Sequence, residues 1–247
     1  MSISTPCILI EQLRVVAGAR CILEVPKLQI AHGEKVAILG RNGAGKSTLL
    51  RCLNGFVKPV TGLITVNDHG VFPLQREKDL RAVRAQVGQV LQGLHLVGRL
   101  TALENVLVGG LARMPTLRSW MRLFTQEEIE QANAALQAVG MYKLADKRAD
   151  QLSGGERQKV AIARMLMQKP QLVLADEPTA ALDPTAADEV CQLLVKSADR
   201  ATLITVVHNT NLVPLLSHRV LGLKAGRLVL DCPSTDLHQH HLDTLYE

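Results

Sequence analysis

Three short stretches carry residue types able to handle phosphate. Residues 40–47 read GRNGAGKS, which fits the pattern G-x-x-x-x-G-K-[ST]. Gly40, Gly43 and Gly45 let the backbone wrap closely around a phosphate, so that successive N–H groups point at it. The run Gly40, Arg41, Asn42, Gly43, Ala44, Gly45, Lys46, Ser47 and Thr48 is the expected nucleotide-binding segment. Lys46 is placed to reach the β- and γ-phosphates of a nucleotide, and the Ser47 hydroxyl to ligate Mg²⁺. Chance alone produces this pattern in roughly one chain of this length in a hundred. Residues 172–178, LVLADEP, end an apolar run in Asp176 and Glu177. Asp176 suits a Mg²⁺ contact, and Glu177 suits the orientation or deprotonation of an attacking water. The third stretch, QLSGGERQKVAIARMLMQKP (151–170), opens on Ser153, Gly154 and Gly155 and continues as an amphipathic helix. A helix start of this kind favours an anion.

These residues need elements that hold them. VAILG (36–40) is a buried strand running into the glycine-rich turn, and STLLRCLNG (47–55) follows as a helix stopped at Gly55. Residues 7–16, 21–30, 63–67 and 87–91 are expected strands, as are 172–176 and 202–208 with a helix between them. A last pair, 219–223 and 227–231, turns at Ala225-Gly226. From about 98 to 168 the pattern is helical. Thr101 with Glu104, Thr125 with Glu128 and Ser153 with Glu156 each form an S/T-x-x-E capping box. Strands alternating with helices imply an α/β fold with a mostly parallel sheet.

Composition narrows the function classes. At 247 residues the chain can bury a sizeable core as one domain. Aromatics make up only 2 %, too few for base-stacking platforms, so no nucleic-acid partner is expected. The net charge of +5 tolerates phosphate ligands or an anionic membrane surface without selecting either. The cysteines, at 7, 21, 52, 191 and 232, are scattered and odd in number, which reads as reduced thiols. MSISTPCILIEQ lacks the features of a signal peptide, and no apolar run approaches a membrane span. HQHH (238–241) reads as a solvated tail.

LSGGERQ beside GRNGAGKS and LVLADEP resembles the signature of the ABC transporter ATPase family. The resemblance covers nearly the whole chain. It implies a P-loop NTPase fold: a core at 1–92 and 170–247 with an antiparallel β subdomain, and a helical subdomain inserted at about 93–169. It implies ATP with Mg²⁺, and a head-to-tail dimer in which Ser153, Gly154 and Gly155 cap the γ-phosphate on the partner's loop. Gln92, at the end of VLQ, looks like the glutamine that senses Mg²⁺ and touches a membrane partner. Asp183, in ALDP (181–184), looks like the residue linking the two sites. His208 looks like the switch histidine at the γ-phosphate. Lys46, Gln92, Glu177 and His208 are thus the expected catalytic set, with Ser47, Gln92 and Asp176 at the metal.

Within the family, LVGRLTALENVL (96–107), Arg118-Ser119-Trp120 with Leu123-Phe124, DKRADQLSGGE (146–156) and the closing LYE are similar to phosphonate-type importer ATPases. That implies a separate integral-membrane permease, indirectly a substrate-binding protein, and a peripheral position on the cytoplasmic face of the inner (plasma) membrane. DNA-maintenance and translation members are a poorer match, because the insert is short and only one copy of the motifs is present. One departure stands out. The aromatic residue that the family stacks on adenine is missing near Val15, Val16 and Ala17, which implies weak base discrimination.

Overall fold

The computed structural model describes residues 5–74, 76–114, 118, 121, 123–180 and 182–247. Ser119, Trp120 and Ala181, named in the resemblances above, lie outside these residues. Ten strands form one sheet in the order β5-β4-β1-β2-β10-β9-β3-β8-β7-β6. In chain order they are β1 (Ile8–Ala17), β2 (Arg20–Ile30), β3 (Lys35–Leu39), β4 (Thr61–Val66), β5 (His69–Phe72) and β6 (Val87–Val90), then β7 (Leu172–Asp176), β8 (Thr202–Val206), β9 (Arg219–Lys224) and β10 (Arg227–Pro233). Strands β9, β3, β8, β7 and β6 pair in parallel, while β2, β1, β4 and β5 pair antiparallel. Strand β10 joins the two parts: it is antiparallel to β9 and pairs in parallel with β2 at Arg227 opposite Glu24. The expected antiparallel subdomain is therefore continuous with the parallel sheet.

The parallel strands read as unbroken apolar runs because both faces are covered. Side chains alternate between two cores. Leu172 and Leu174 enter one core with Val36, Ile38, Ile204 and Val206, against helix α1 (Lys46–Leu53). Val173 and Ala175 enter the other with Ala37, Leu39 and Leu203. Helices α3 (Ala102–Gly109), α4 (Gln126–Ala138), α5 (Gly154–Met167) and α6 (Pro184–Ser197) cover that second face. Each fully buried leucine or isoleucine contributes about 1.5–3 kcal/mol.

All three capping boxes form with both hydrogen bonds, starting α3, α4 and α5 where the spacing predicts. Several elements were not expected. Strand β5 follows a turn at Asn67-Asp68, both at positive φ, a hairpin signal that Asn and Asp tolerate. Helix α2 (Glu77–Gln86) buries only Val83, so it has almost no apolar stripe to read. After a short helix α7 (Val213–Leu216), the expected tail is also corrected: Gln239–Tyr246 is helix α8. Leu245 is buried on β9, where a Cβ at Gly222 would lie 2.7 Å from its Cδ2. His238 and His240 are exposed, and no cluster of His, Cys, Asp or Glu among the described residues could hold a metal ion.

Candidate nucleotide site

Register brings the functional loops to one edge. Ile38 of β3 and Asp176 of β7 both pair with Val206 of β8, and Val90 of β6 pairs with Ala175. The strands leading to Gly40, Gln92, Glu177 and His208 therefore end level with one another. Ligands of parallel sheets bind beyond such carboxyl ends.

The phosphate loop closes on itself around Lys46. The ammonium donates to the Gly40 carbonyl at 2.7 Å and to the Arg41 carbonyl at 3.0 Å, with Lys46 only 5 % exposed. Burial pushes its pKa down, and the Glu177 and Asp176 charges partly oppose that. Gly40 has no substitute, since a Cβ there would sit 2.2 Å from the Leu223 carbonyl oxygen. Ser47, on the first turn of α1, donates its hydroxyl to Asp176 at 3.2 Å. Asp176 is nearly buried, and desolvation raises its pKa against the opposing pull of that hydrogen bond.

Glu177 sits just past β7 with φ at 51°, a left-handed conformation uncommon for a non-glycine residue. Its N–H donates to the Val206 carbonyl at 3.2 Å, which ties it to the end of β8. This geometry brings its carboxylate within 2.6 Å of His208 Nε2. Asp183 is the N-cap of α6, accepting from the Ala186 N–H at 3.0 Å. Its placement is thus set locally, by a helix start.

The signature helix α5 begins with its box closed. The Ser153 N–H donates to Glu156 at 2.7 Å, and the Ser153 hydroxyl accepts from the Glu156 N–H at 3.3 Å. The box uses neither the Gly154 nor the Gly155 amide. Two cavities flank the exposed Gln92. One of 260 Å³ also includes Ser47, Arg51 and Asp176. The other, of 420 Å³, includes Glu177, Gly154 and Arg157. The signature cavity contains no residue of the phosphate loop.

Some site residues escaped the motif reading. A 540 Å³ cleft along the phosphate loop is walled by Arg20, Cys21 and Ile22 at the start of β2, not by Val15–Ala17. The reason is the turn between β9 and β10. The Gly226 N–H donates to the Ala44 carbonyl at 3.1 Å, and its carbonyl accepts from the Glu24 N–H at 2.7 Å. Gly226 thereby staples the loop to β2; a Cβ there would lie 2.4 Å from the Ile22 carbonyl oxygen. The predicted Ala225-Gly226 turn was the available signal, and its spatial neighbours were not. Gln158, buried on α5, lines the signature cavity, and its Nε2 has no hydrogen-bond partner among the described residues.

A family model described as ABC transporter matches residues 23–180. The chain is 42 % identical over 224 residues to a phosphonates import ATP-binding protein, PhnC, of Bordetella parapertussis, covering 89 % of this chain and 88 % of that protein. It is 42 % identical over 232 residues to a phosphate-import ATP-binding protein, PhnC, of Mycolicibacterium smegmatis, covering 93 % and 88 %. The fold is similar to that of cbiO1 from Clostridium perfringens, part of the ABC transporter complex cbiONQ. That match has a TM-score of 0.81 at 30 % identity and covers 94 % of this chain and 90 % of that one. It is also similar to a dimeric bacterial ABC transporter cassette, with a TM-score of 0.80 at 29 % identity, covering 92 % and 98 %. With its motifs gathered at one sheet edge and its length matched by these relatives, the chain belongs to the ABC transporter family.

Proposed function

We propose that the chain is the ATP-hydrolysing subunit of an importer for phosphonate or a related phosphorus oxyanion, working through separate permease subunits. One observation carries the reading. Lys46, Gln92, Asp176, Glu177 and His208 converge at a single sheet edge. They do so in a chain 42 % identical to a protein named for phosphonate import.

Gly40–Thr48 holds the phosphates, with Lys46 drawn from the Gly40 and Arg41 carbonyls toward the β- and γ-oxygens. Asp176, Ser47 and Gln92 offer only oxygen ligands around one cavity, a donor set that suits Mg²⁺. When bound, Mg²⁺ neutralises charge that develops on the phosphates. Glu177 orients the attacking water and takes its proton, and His208, held 2.6 Å from Glu177, steadies the γ-phosphate. Ser153, Gly154 and Gly155 serve a second copy of the chain, paired head to tail. The signature cavity is lined by no residue of Gly40–Thr48, although it meets the phosphate cleft at Glu177, and that lining supports the arrangement. Asp183, whose carboxylate accepts from the Ala186 N–H, is assigned to the link between the two sites.

In this scheme the core is 1–92 with 170–247, and the helical subdomain spans about 93–169. Closure of the dimer is felt at Gln92 and drives the permease. No helix among the described residues is long and apolar enough to cross a membrane. We assign the subunit to the cytoplasmic face of the inner (plasma) membrane as a peripheral protein, because its relatives are named as import ATP-binding proteins, with a substrate-binding protein acting indirectly.

The test is growth of the host on single phosphorus sources, with the chain intact or carrying Glu177→Gln. An alkylphosphonate, phosphite, hypophosphite and phosphate make up the panel, phosphate because one relative is named for its import. Selective loss on one source is the expected result and names the substrate. Unchanged growth on all four overturns the phosphorus reading.

A further inference from the structure

Helix α5 carries the signature at one end and grips the Gln92 segment at the other. The Arg164 guanidinium donates to the Leu94 carbonyl at 2.6 Å and to the His95 carbonyl at 2.8 Å. Those two residues are consecutive and non-glycine, with φ at 54° and 47°. Left-handed pairs of this kind persist only where their surroundings hold them. The bend is tight: the His95 N–H donates to the Gly93 carbonyl at 2.6 Å, and the Leu94 N–H to the Leu91 carbonyl at 2.8 Å. Gln92 sits inside this bend.

The other end of the segment is held from the same helix. Gln168, one turn beyond Arg164 and the C-cap of α5, donates to the carbonyls of Arg84 at 2.8 Å and Val87 at 3.0 Å. Strand β6 and Gln92 are thus clamped before and after by two side chains of one helix end. That end is itself fixed. A Cβ on Gly109 of α3 would lie 2.1 Å from the Arg164 carbonyl oxygen, so the two backbones are in direct contact. Arg164 lies about 16 Å from Ser153 along the helix, from a rise of 1.5 Å per residue.

We propose that Arg164 is a positioning residue for ATP hydrolysis, holding the Leu94–His95 bend so that Gln92 faces the Ser47–Asp176 cavity. Nothing in the reaction requires Arg164 to touch nucleotide; it acts through Gln92. Helix α5 runs unbroken from Gly154 to Met167, so the same guanidinium links the signature helix to the Gln92 bend. The inference rests on the role given above to Gln92.

A double-mutant cycle tests it, using purified protein with R164M, R164K, Q92A and R164M/Q92A. Steady-state ATPase rates are measured against ATP and against Mg²⁺. R164M keeps the volume of the side chain and removes both donors. It is expected to lower kcat about tenfold, to leave KM for ATP within about twofold, and to raise the Mg²⁺ concentration for half-maximal rate. R164K, with an ammonium able to reach a carbonyl, should recover part of the loss. In the Q92A background R164M should cost less than about twofold, because the group it positions is gone. An equal cost in both backgrounds means that Arg164 only stabilises the fold, and overturns the proposal. Normal kcat in R164M overturns it too. Normal kcat in Q92A removes the role of Gln92 itself, and the proposal falls with it. If R164M does not fold, R164K carries the same cycle.

Discussion

The Glu177 carboxylate lies 2.6 Å from the His208 imidazole, although the two residues follow different strands. Level ends of β7 and β8 and the left-handed backbone at Glu177 bring them together. The base proposed at Glu177, in contact with a histidine in this way, should be sensitive to the loss of either charge or partner. Glu177→Gln is expected to lower hydrolysis by about 10²–10⁴ while ATP still binds. Phosphate release and equilibrium ATP binding, measured on the same preparation, check this. Turnover like that of the wild type would move the base elsewhere.

The signature should matter between chains and not within one. Ser153→Arg puts a bulky side chain on the exposed start of α5, where the proposed head-to-tail dimer has to close. In a Glu177→Gln background, ATP-driven dimerisation should disappear on size-exclusion chromatography. ATP affinity of the isolated monomer should stay within a few fold. A monomer that no longer binds ATP would contradict the head-to-tail arrangement.

The phosphate cleft is walled by Arg20, Cys21 and Ile22, and no aromatic residue lines it among the described residues. Stacking on an aromatic is worth about 1–3 kcal/mol per base, so affinities for ATP and GTP should differ by less than about tenfold. Cys21 also gives the cleft a chemical handle. Cys7, Cys52 and Cys191 are buried, and burial pushes the thiols of Cys52 and Cys191 up to about 12. A maleimide should therefore label Cys21 ahead of these three, and ATP should protect it. Peptide mapping with and without nucleotide decides the point; labelling unaffected by ATP would place the nucleotide elsewhere.

Glu128 offers a stability test away from the site. The Thr125 N–H and the Arg118 guanidinium donate to its carboxylate and hold its pKa below the ordinary 4.5. A depressed acid contributes stability that is present above pH 4.5 and is lost as pH falls through its lowered value. Glu128→Gln should therefore lower the melting temperature at neutral pH. The gap from the wild type should close as the pH drops below 4.5. A gap that stays constant down to acid pH would mean that the charge contributes nothing.

Most of the site was legible because its chemistry is written in contiguous runs. GRNGAGKS has the glycines to wrap its own backbone around an anion, and S/T-x-x-E starts a helix with its own side chains. All three boxes formed for that local reason. Helix α2 was not legible because it buries a single residue, and α8 because only Leu245 is buried, against β9.

Local sequence alone determined which residues can hold phosphate, where three helices start and which strands are apolar on both faces. It could not say which carbonyl a distant side chain would find. The staple from Gly226 to Ala44 and Glu24 exists only once β10 lies beside β2. That contact moves the cleft wall from Ala17 to Arg20 and Cys21. The grip of Arg164 on Leu94 and His95 likewise spans about seventy residues, and appears only when α5 packs across the end of β6. Hydrogen bonds between distant segments depend on the sheet order, which no local pattern encodes. Tertiary structure therefore decided how the motifs are aimed, after sequence had decided what they can do.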